Sequence, residues 1–377
     1  MKKHPLLSSF RLLLSACFLL LSACAPQAAT PAPVEMEILA PPTAQTVTPL
    51  TSGEPLPLTV MTHSSFAISE GALAVFEQAN NVKVTFLNGG DAGEALNKAI
   101  LSKDAPLADV FYGVDNTFLS RALEAGIFES YASPALTNVP AEFRLDPENR
   151  ATPVDYGDVC INYDRAFFAK NELPVPTTLG DLIRPEYNGM LVVENPATSS
   201  PGLAFLLATV AHFGEPGYLD FWRSLRANGL VVVNDWETAY YTNFSASSGR
   251  GPQTMVVSYA TSPAAEVIYS EVVIEQSPTA SILGPQTCFR QIEFVGILAG
   301  TRQRAAAERF VDFMLSLTFQ EDLPLQMFVL PVDPFAILPD SFYQFNEYPT
   351  DPAILAPDVI AANRDRWIQE WTDAVLR

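Results

Sequence analysis

From residue 58 onward the chain alternates between two hydrophobic rhythms. Residues 58–62 form a short apolar run with β-branched members, which predicts a strand leading into the turn-like stretch 63–66. A helix is predicted over 71–78, a strand over 82–87 and a helix over 92–101. Residues 108–112 read as a buried strand, and 116–125 as a helix with Phe118, Leu119, Ala122 and Leu123 on one face. This βαβαβ order predicts an α/β fold with a mostly parallel sheet and helices on both faces. Ligands in such sheets bind beyond the carboxyl ends of the strands, where the loops 63–66, 89–92 and 113–116 fall.

A second alternating block follows, with strands predicted at 159–163, 190–193, 230–233 and 255–259, and a helix over 201–213. A strand over 288–298 then precedes a helix over 305–316. The final stretch, 358–376, has Ile360, Trp367, Ile368, Trp371 and Val375 on one stripe and predicts an amphipathic helix. About 320 residues follow position 57, more than one hydrophobic core normally serves, so two lobes are expected.

The first residues follow a different pattern. Lys2, Lys3 and Arg11 precede an apolar stretch, 12–23, that is too short for a stable membrane span and reads as a signal peptide, 1–23. It closes on Leu21, Ser22, Ala23 and Cys24, which resembles a bacterial lipoprotein cleavage site, with Cys24 as the lipidated residue. The alternative is a plain secretory signal with an incidental cysteine. A second match ending at Cys17 lies too close to Arg11 to leave a full apolar region. Residues 24–57 are rich in Ala, Pro and Thr and predict an extended tether between a lipid anchor and the folded part.

Charge narrows the partners. The net charge of −20 deepens to −23 once the three basic residues of the signal are removed. Such a surface repels nucleic acid and anionic headgroups, so membrane attachment is expected to be covalent. In the folded part only Cys160 and Cys288 remain, and two cysteines in an oxidising compartment commonly pair. His63 and His212 have no metal-ligand spacing, so no metal or other cofactor is expected. No Gly-x-Ser-x-Gly elbow is present, and His63 beside Ser64 and Ser65 is the sole Ser/His grouping, which argues against an enzyme.

Six segments carry a family resemblance. They are Asp109 to Asn116 (DVFYGVDN), Asp155 to Gly157 (DYG), Thr198 to Gly202 (TSSPG), Trp236 to Tyr240 (WETAY), Ser258 to Pro263 (SYATSP) and Trp367 to Trp371 (WIQEW). In order and spacing the chain resembles the periplasmic thiamine-binding proteins, a type-2 periplasmic solute-binding family, over essentially 58–377. The resemblance implies two α/β lobes joined by crossing hinge strands with a ligand cleft between them. The expected division is 58–157 with 286–339 as lobe 1, 158–285 as lobe 2, and 340–377 as a C-terminal segment. It further implies thiamine or thiamine phosphates as ligand, an ABC permease as partner, and a monomer held at the extracytoplasmic face of a bacterial membrane, periplasmic or cell-surface.

The same resemblance implies site residues. Trp236 and Tyr259 match positions that sandwich the ligand, where a cation over an aromatic face gains about 0.5–2 kcal/mol. Ser199 matches a contact to the ligand's phosphate or hydroxyl end. Ser200 reads as an N-cap with Pro201 at the first helical position, and the unpartnered N–H groups of that turn would attract an anion. Asp91 matches an acid that could accept hydrogen bonds from an aminopyrimidine. Asp115 is either a similar acceptor or a cap for the helix from Asn116. Tyr240 and Tyr241 either extend the wall or pack into the core.

Departures from the family pattern are His63 and Ser64 in place of an aromatic and an aspartate, Glu70 for a tryptophan, Ala265 for a tyrosine and Phe328 for a late pocket tryptophan. They predict a more polar first-lobe wall, with His63 and Glu70 facing the cleft. Cys160 and Cys288 are expected to fasten the hinge side, which requires Cα atoms within about 7 Å. The rival readings are a carrier of ferric iron, polyamine or phosphonate on the same fold, for which Tyr240, Tyr241 and His63 supply an iron-like set, and a ligand-presenting receptor. A Tyr241 turned away from the cleft would exclude iron.

Overall fold

The computed structural model describes residues 53–246 and 250–377. The signal segment, Cys24 and the tether up to residue 52 lie outside the described residues. Strand β1 (Leu56–Thr62) leads to helix α1 (Glu70–Asn80), then β2 (Val82–Asn88), α2 (Ala92–Leu101), β3 (Val110–Asp115), α3 (Leu119–Ala125) and the short β4 (Phe128–Glu129). The long β5 (Thr152–Asp164) and α4 (Arg165–Lys170) are followed by β6 (Leu191–Glu194), α5 (Ser200–Phe213), α6 (Gly217–Ala227), β7 (Val231–Val233), β8 (Met255–Tyr259) and α7 (Ser262–Ile268). Then come β9 (Thr279–Ile282), β10 (Phe289–Leu298), α8 (Arg304–Met314), α9 (Leu317–Gln320), α10 (Leu323–Gln326), β11 (Leu330–Pro331), α11 (Asp340–Phe345) and α12 (Pro357–Val375).

The strands form one eleven-stranded sheet in the order β2-β1-β3-β10-β5-β8-β6-β7, with β4 beside β10, and β9 and β11 beside β5. Within each end the pairing is parallel: β1 with β2 and β3, and β6 with β7 and β8. The centre is antiparallel, because β10 runs against both β3 and β5, and β5 against β8. Two parallel α/β halves are thus joined through the long strands β5 and β10. One core cluster gathers Leu58, Val60, Phe76, Val84 and Phe310, and a second runs from Met61, Leu96 and Phe111 through to the fully buried Leu203 to Leu207 of α5.

Two of the boundaries that differ from the sequence expectation have a visible structural reason. Strand β1 begins inside the stretch 24–57 expected as tether: Leu56 and Pro57 already pair with Val82 and Lys83. Strand β3 joins β1 only at Val60 and Met61, so the missing N–H of Pro57 falls where one side of the strand has no neighbour. Helix α3 starts at Leu119 rather than Asn116, because the Asn116 side chain brackets β10, donating to the Arg290 carbonyl and accepting from the Ile292 N–H, each at 3.0 Å.

The C-terminal helix α12 packs on both α6 and α3. Its buried stripe is Ile360, Arg364, Trp367, Trp371 and Val375, with Arg364 an unexpected polar member that donates to Ser120 Oγ at 3.0 Å. Trp371 meets Trp222 edge to face, centroids 5.5 Å apart. Cys160 in β5 and Cys288 beside β10 are joined by a disulfide, with Cα atoms 4.3 Å apart. It ties the two central strands, while the cleft opens elsewhere.

Candidate ligand-binding cleft

A cleft of about 770 Å³ lies between the two halves, a size that suits a small organic molecule. One wall is aromatic. Trp236 follows β7, Tyr240 and Tyr241 lie on a single π-helical turn, Thr238–Asn243, and Tyr259 ends β8. Trp236 stacks on Tyr240 with centroids 5.0 Å apart and planes at 18°, and Tyr241 stands edge-on to both. The wall is held by its polar tips. Trp236 Nε1 donates to Ser258 Oγ at 2.9 Å, the Tyr240 hydroxyl to Glu266 at 2.6 Å, and the Tyr259 hydroxyl to Gln291 at 3.2 Å. Gly157 in β5 makes room for Tyr259: a Cβ there would lie 2.9 Å from its ring.

Helix α7 extends this wall. Ser262, Ala265, Glu266 and Tyr269 recur at helical spacing and all line the cleft. None except Ala265 was singled out from the sequence, although the stripe after Ser258 to Pro263 was available as a signal.

The opposite wall is acidic. His63 follows β1, Asp91 caps α2 by accepting from the Ala92 N–H at 2.6 Å, and Glu293 projects from β10. In register, Glu293 lies beside Asp115 of β3 on one side and Asp155 of β5 on the other, so three carboxylates sit on adjacent strands. The buried Tyr112 hydroxyl donates to Asp155 at 2.6 Å and Glu293 at 3.1 Å, and His63 Nε2 lies 3.6 Å from Glu293. Burial raises Asp155 well above the usual carboxylate range, with the Glu293 charge adding to it. Burial likewise pushes Asp115 up to about 7, against the hydrogen bonds from Thr117. Asp91 is raised by burial too, although the N–H groups of Ala92 and Trp236 pull it back. Glu293 and Gln291 were missed in the sequence; two polar residues at period 2 inside an apolar strand were the signal for them.

Of the residues expected at the site, His63, Asp91, Ser200, Trp236, Tyr240 and Tyr259 line the cleft together, and Tyr241, Ala265 and Phe328 do so as well. Ser64, Asp115 and Ser199 do not. The Ser64 N–H is tied back to the Gly90 carbonyl at 2.8 Å, and Ser65 takes the lining position. Asp115 is fully buried behind the wall, where it caps the turn at Thr117 and accepts from the Ser200 hydroxyl across the cleft base. Ser199, not Ser200, is the N-cap residue of α5; it is fully buried and its hydroxyl makes no capping bond. Glu70 is a further correction: it is exposed at the first turn of α1 and does not face the cleft, so the polar character of that wall comes from His63 and the acids. Among the described residues, no three His, Cys, Asp or Glu side chains are grouped to hold a metal ion.

Two α/β halves on shared central strands, with an aromatic and acidic cleft between them, define a two-lobed solute-binding protein. The sequence pattern of the bacterial extracellular solute-binding protein family matches residues 105–368, and the chain belongs to that family. It is 29% identical to the thiamine-binding periplasmic protein of Escherichia coli K12, over 85% of this chain and 94% of the relative. It is 28% identical to the protein of that name from Brucella suis, over 85% and 92% respectively. A solved periplasmic thiamin binding protein superposes with a TM-score of 0.74 at 29% identity, covering 87% of this chain and 98% of the other.

Proposed function

We propose that this chain captures thiamine or a thiamine phosphate outside the cytoplasm and delivers it to an ABC permease, acting as a carrier and not as an enzyme. One observation carries the reading: the half-buried rings of Trp236 and Tyr259 and the carboxylates of Asp91 and Glu293 line one and the same cleft. A flat heteroaromatic cation needs both. Its rings gain from aromatic faces, and its charge and exocyclic amine gain from acceptors. The relatives' names support the same ligand. Lipidation of Cys24, with the segment up to residue 55 as tether, would hold the carrier near its permease; a Cys24→Ser chain should then leave the membrane fraction for the soluble one.

The ligand is tested by thermal shift with thiamine, its mono- and diphosphate, ferric ion and putrescine. A ligand at one hundred times its dissociation constant stabilises by about 2.7 kcal/mol. Thiamine or one of its phosphates should raise the transition while ferric ion and putrescine leave it in place. A transition moved by ferric ion alone would assign the cleft, with Tyr240 and Tyr241, to iron.

A further inference from the structure

We infer that the first turn of α2 is a latch between the two halves, and that Gly93 is the residue whose missing side chain lets it engage, a conclusion that rests on the thiamine-carrier reading above. Halves joined through long central strands can hinge about them, and contacts made away from those strands break when the cleft opens. Three such contacts gather where α2 faces the segment entering α5. The Gly93 N–H donates to the Thr198 carbonyl at 3.1 Å. Asp91 holds its own helix through the Ala92 N–H with Oδ1, while Oδ2 accepts from the Trp236 backbone N–H at 3.2 Å. Asp115 accepts from the Ser200 hydroxyl. Asp91 and Gly93 follow β2 and Asp115 ends β3, whereas Thr198 and Ser200 follow β6 and Trp236 follows β7, so each of these bonds crosses from one half to the other.

The Gly93 bond is the most informative of the three. An N–H in the first turn of a helix has no partner within its own helix, and here the opposite half supplies one. Gly93 lies in the regular helix α2 without a positive φ, where alanine is the better helix former, so its backbone does not call for glycine. Space does. A Cβ at this buried position would lie 2.7 Å from the Thr198 carbonyl oxygen and 3.1 Å from that of Ala197, backbone atoms that cannot swing aside. Gly202 in α5 is just as crowded, but by the Glu194 carbonyl at 2.5 Å, which belongs to its own half. One glycine serves packing within a half, and the other serves the approach of two halves. A solute bridges Trp236 and Tyr259 on one side and His63 and Asp91 on the other only while the halves are together. Its apparent affinity therefore scales with the closed population, which the α2 latch helps to set.

The test compares the mature wild type with Gly93→Ala and Gly202→Ala, by calorimetric titration with thiamine and by thermal unfolding of the unliganded chains. In Gly93→Ala the thiamine affinity should fall on the order of tenfold or more, as the closed form is depopulated. Its unliganded transition should stay within about 2 °C of the wild type or rise, because the added methyl meets only the opposite half. Gly202→Ala should instead lower the transition by about 4 °C or more, or fail to fold, because its clash lies inside one half. At saturating thiamine, small-angle X-ray scattering should give Gly93→Ala a larger radius of gyration than the wild type. A Gly93→Ala chain that binds thiamine as the wild type does overturns the latch and leaves the thiamine reading intact. So does one destabilised as much as Gly202→Ala, which would make Gly93 a packing position of the fold, and so does lost affinity at an unchanged radius of gyration. A wild type that fails to bind thiamine sinks the thiamine reading and the latch with it.

Discussion

The two walls of the cleft solve different problems. In the aromatic wall the polar tips of Trp236, Tyr240 and Tyr259 are satisfied: the indole N–H is committed to Ser258 and the two hydroxyls to Glu266 and Gln291, which leaves flat ring faces for a ligand. The opposite wall is unsettled. His63 Nε2 and Asp155 Oδ1 are buried without a hydrogen-bond partner among the described residues, and Asp115, Glu293 and Asp155 bring three carboxyl groups onto neighbouring strands. One wall supplies area and shape, and the other supplies charge whose burial is costly until something neutralises it. The central strands β5 and β10 bring the two together, so a single frame presents a preformed stacking face to an electrostatically hungry one.

The largest effect expected from breaking this division is on the aromatic side. Trp236→Ala removes a central ring face and the prop under Tyr240, and should weaken thiamine binding by about 3 kcal/mol, on the order of a hundredfold. Stability should change much less, because the indole is only half-buried. Trp236→Phe keeps a face over Tyr240 while losing the bond to Ser258, and should fall between the two. Calorimetry reads this directly. An alanine variant that binds thiamine as the wild type does would mean that the ring faces do not provide the affinity.

A smaller effect is expected from the acidic side, and it depends on pH. Folded Asp115 holds its proton up to about pH 7, whereas its ordinary value is 3.8. The native state therefore binds more protons than the unfolded chain between those values, and the stability contributed at this position falls as pH rises from about 4 to about 7 and then levels off. Asp115→Asn cannot lose that proton. Between pH 5 and pH 8 the stability difference should move in the variant's favour by roughly 2 kcal/mol. Urea unfolding at the two pH values measures it. A difference that is the same at both would show that Asp115 is ionised in the native protein and that the wall is less strained than its geometry implies.

The same division explains what could be read from the sequence. The alternation of strand and helix patterns located nearly every principal element, because apolar periodicity is a local property. Trp236, Tyr240 and Tyr259 stood out for a similar reason, as large aromatics at strand ends in recognisable segments. The acidic wall was harder to see. Glu293 lies far along the chain from Asp115 and Asp155, and only the pairing of β10 with both β3 and β5 makes them neighbours. Asp115 looked like either a ligand contact or a cap. Its bond to Ser200 depends on how the halves meet, which no local pattern carries. The position of the α5 cap was misread by one residue for a related reason: Ser200 points its hydroxyl across the cleft base and not back onto its own helix.

Glu70 marks where the polar wall ends, and it gives the smallest expected effect. By comparison with the family it stood in place of a tryptophan and was expected beside His63 in the cleft. In the fold Ser69 caps α1, accepting from the Ala72 N–H at 3.2 Å, and its own N–H is held by Asp322 at 2.9 Å. That capping turns Glu70 to the solvent side of the first helical turn, where its charge complements the helix dipole. Glu70→Gln should therefore cost about 0.3–0.5 kcal/mol of stability, diminishing with added salt, and leave thiamine affinity unchanged. His63→Phe, which restores the family's aromatic type at the wall itself, should alter affinity without that salt signature. A change in thiamine affinity on Glu70→Gln would extend the acidic wall beyond His63 and require the first turn of α1 to move toward the ligand when it binds.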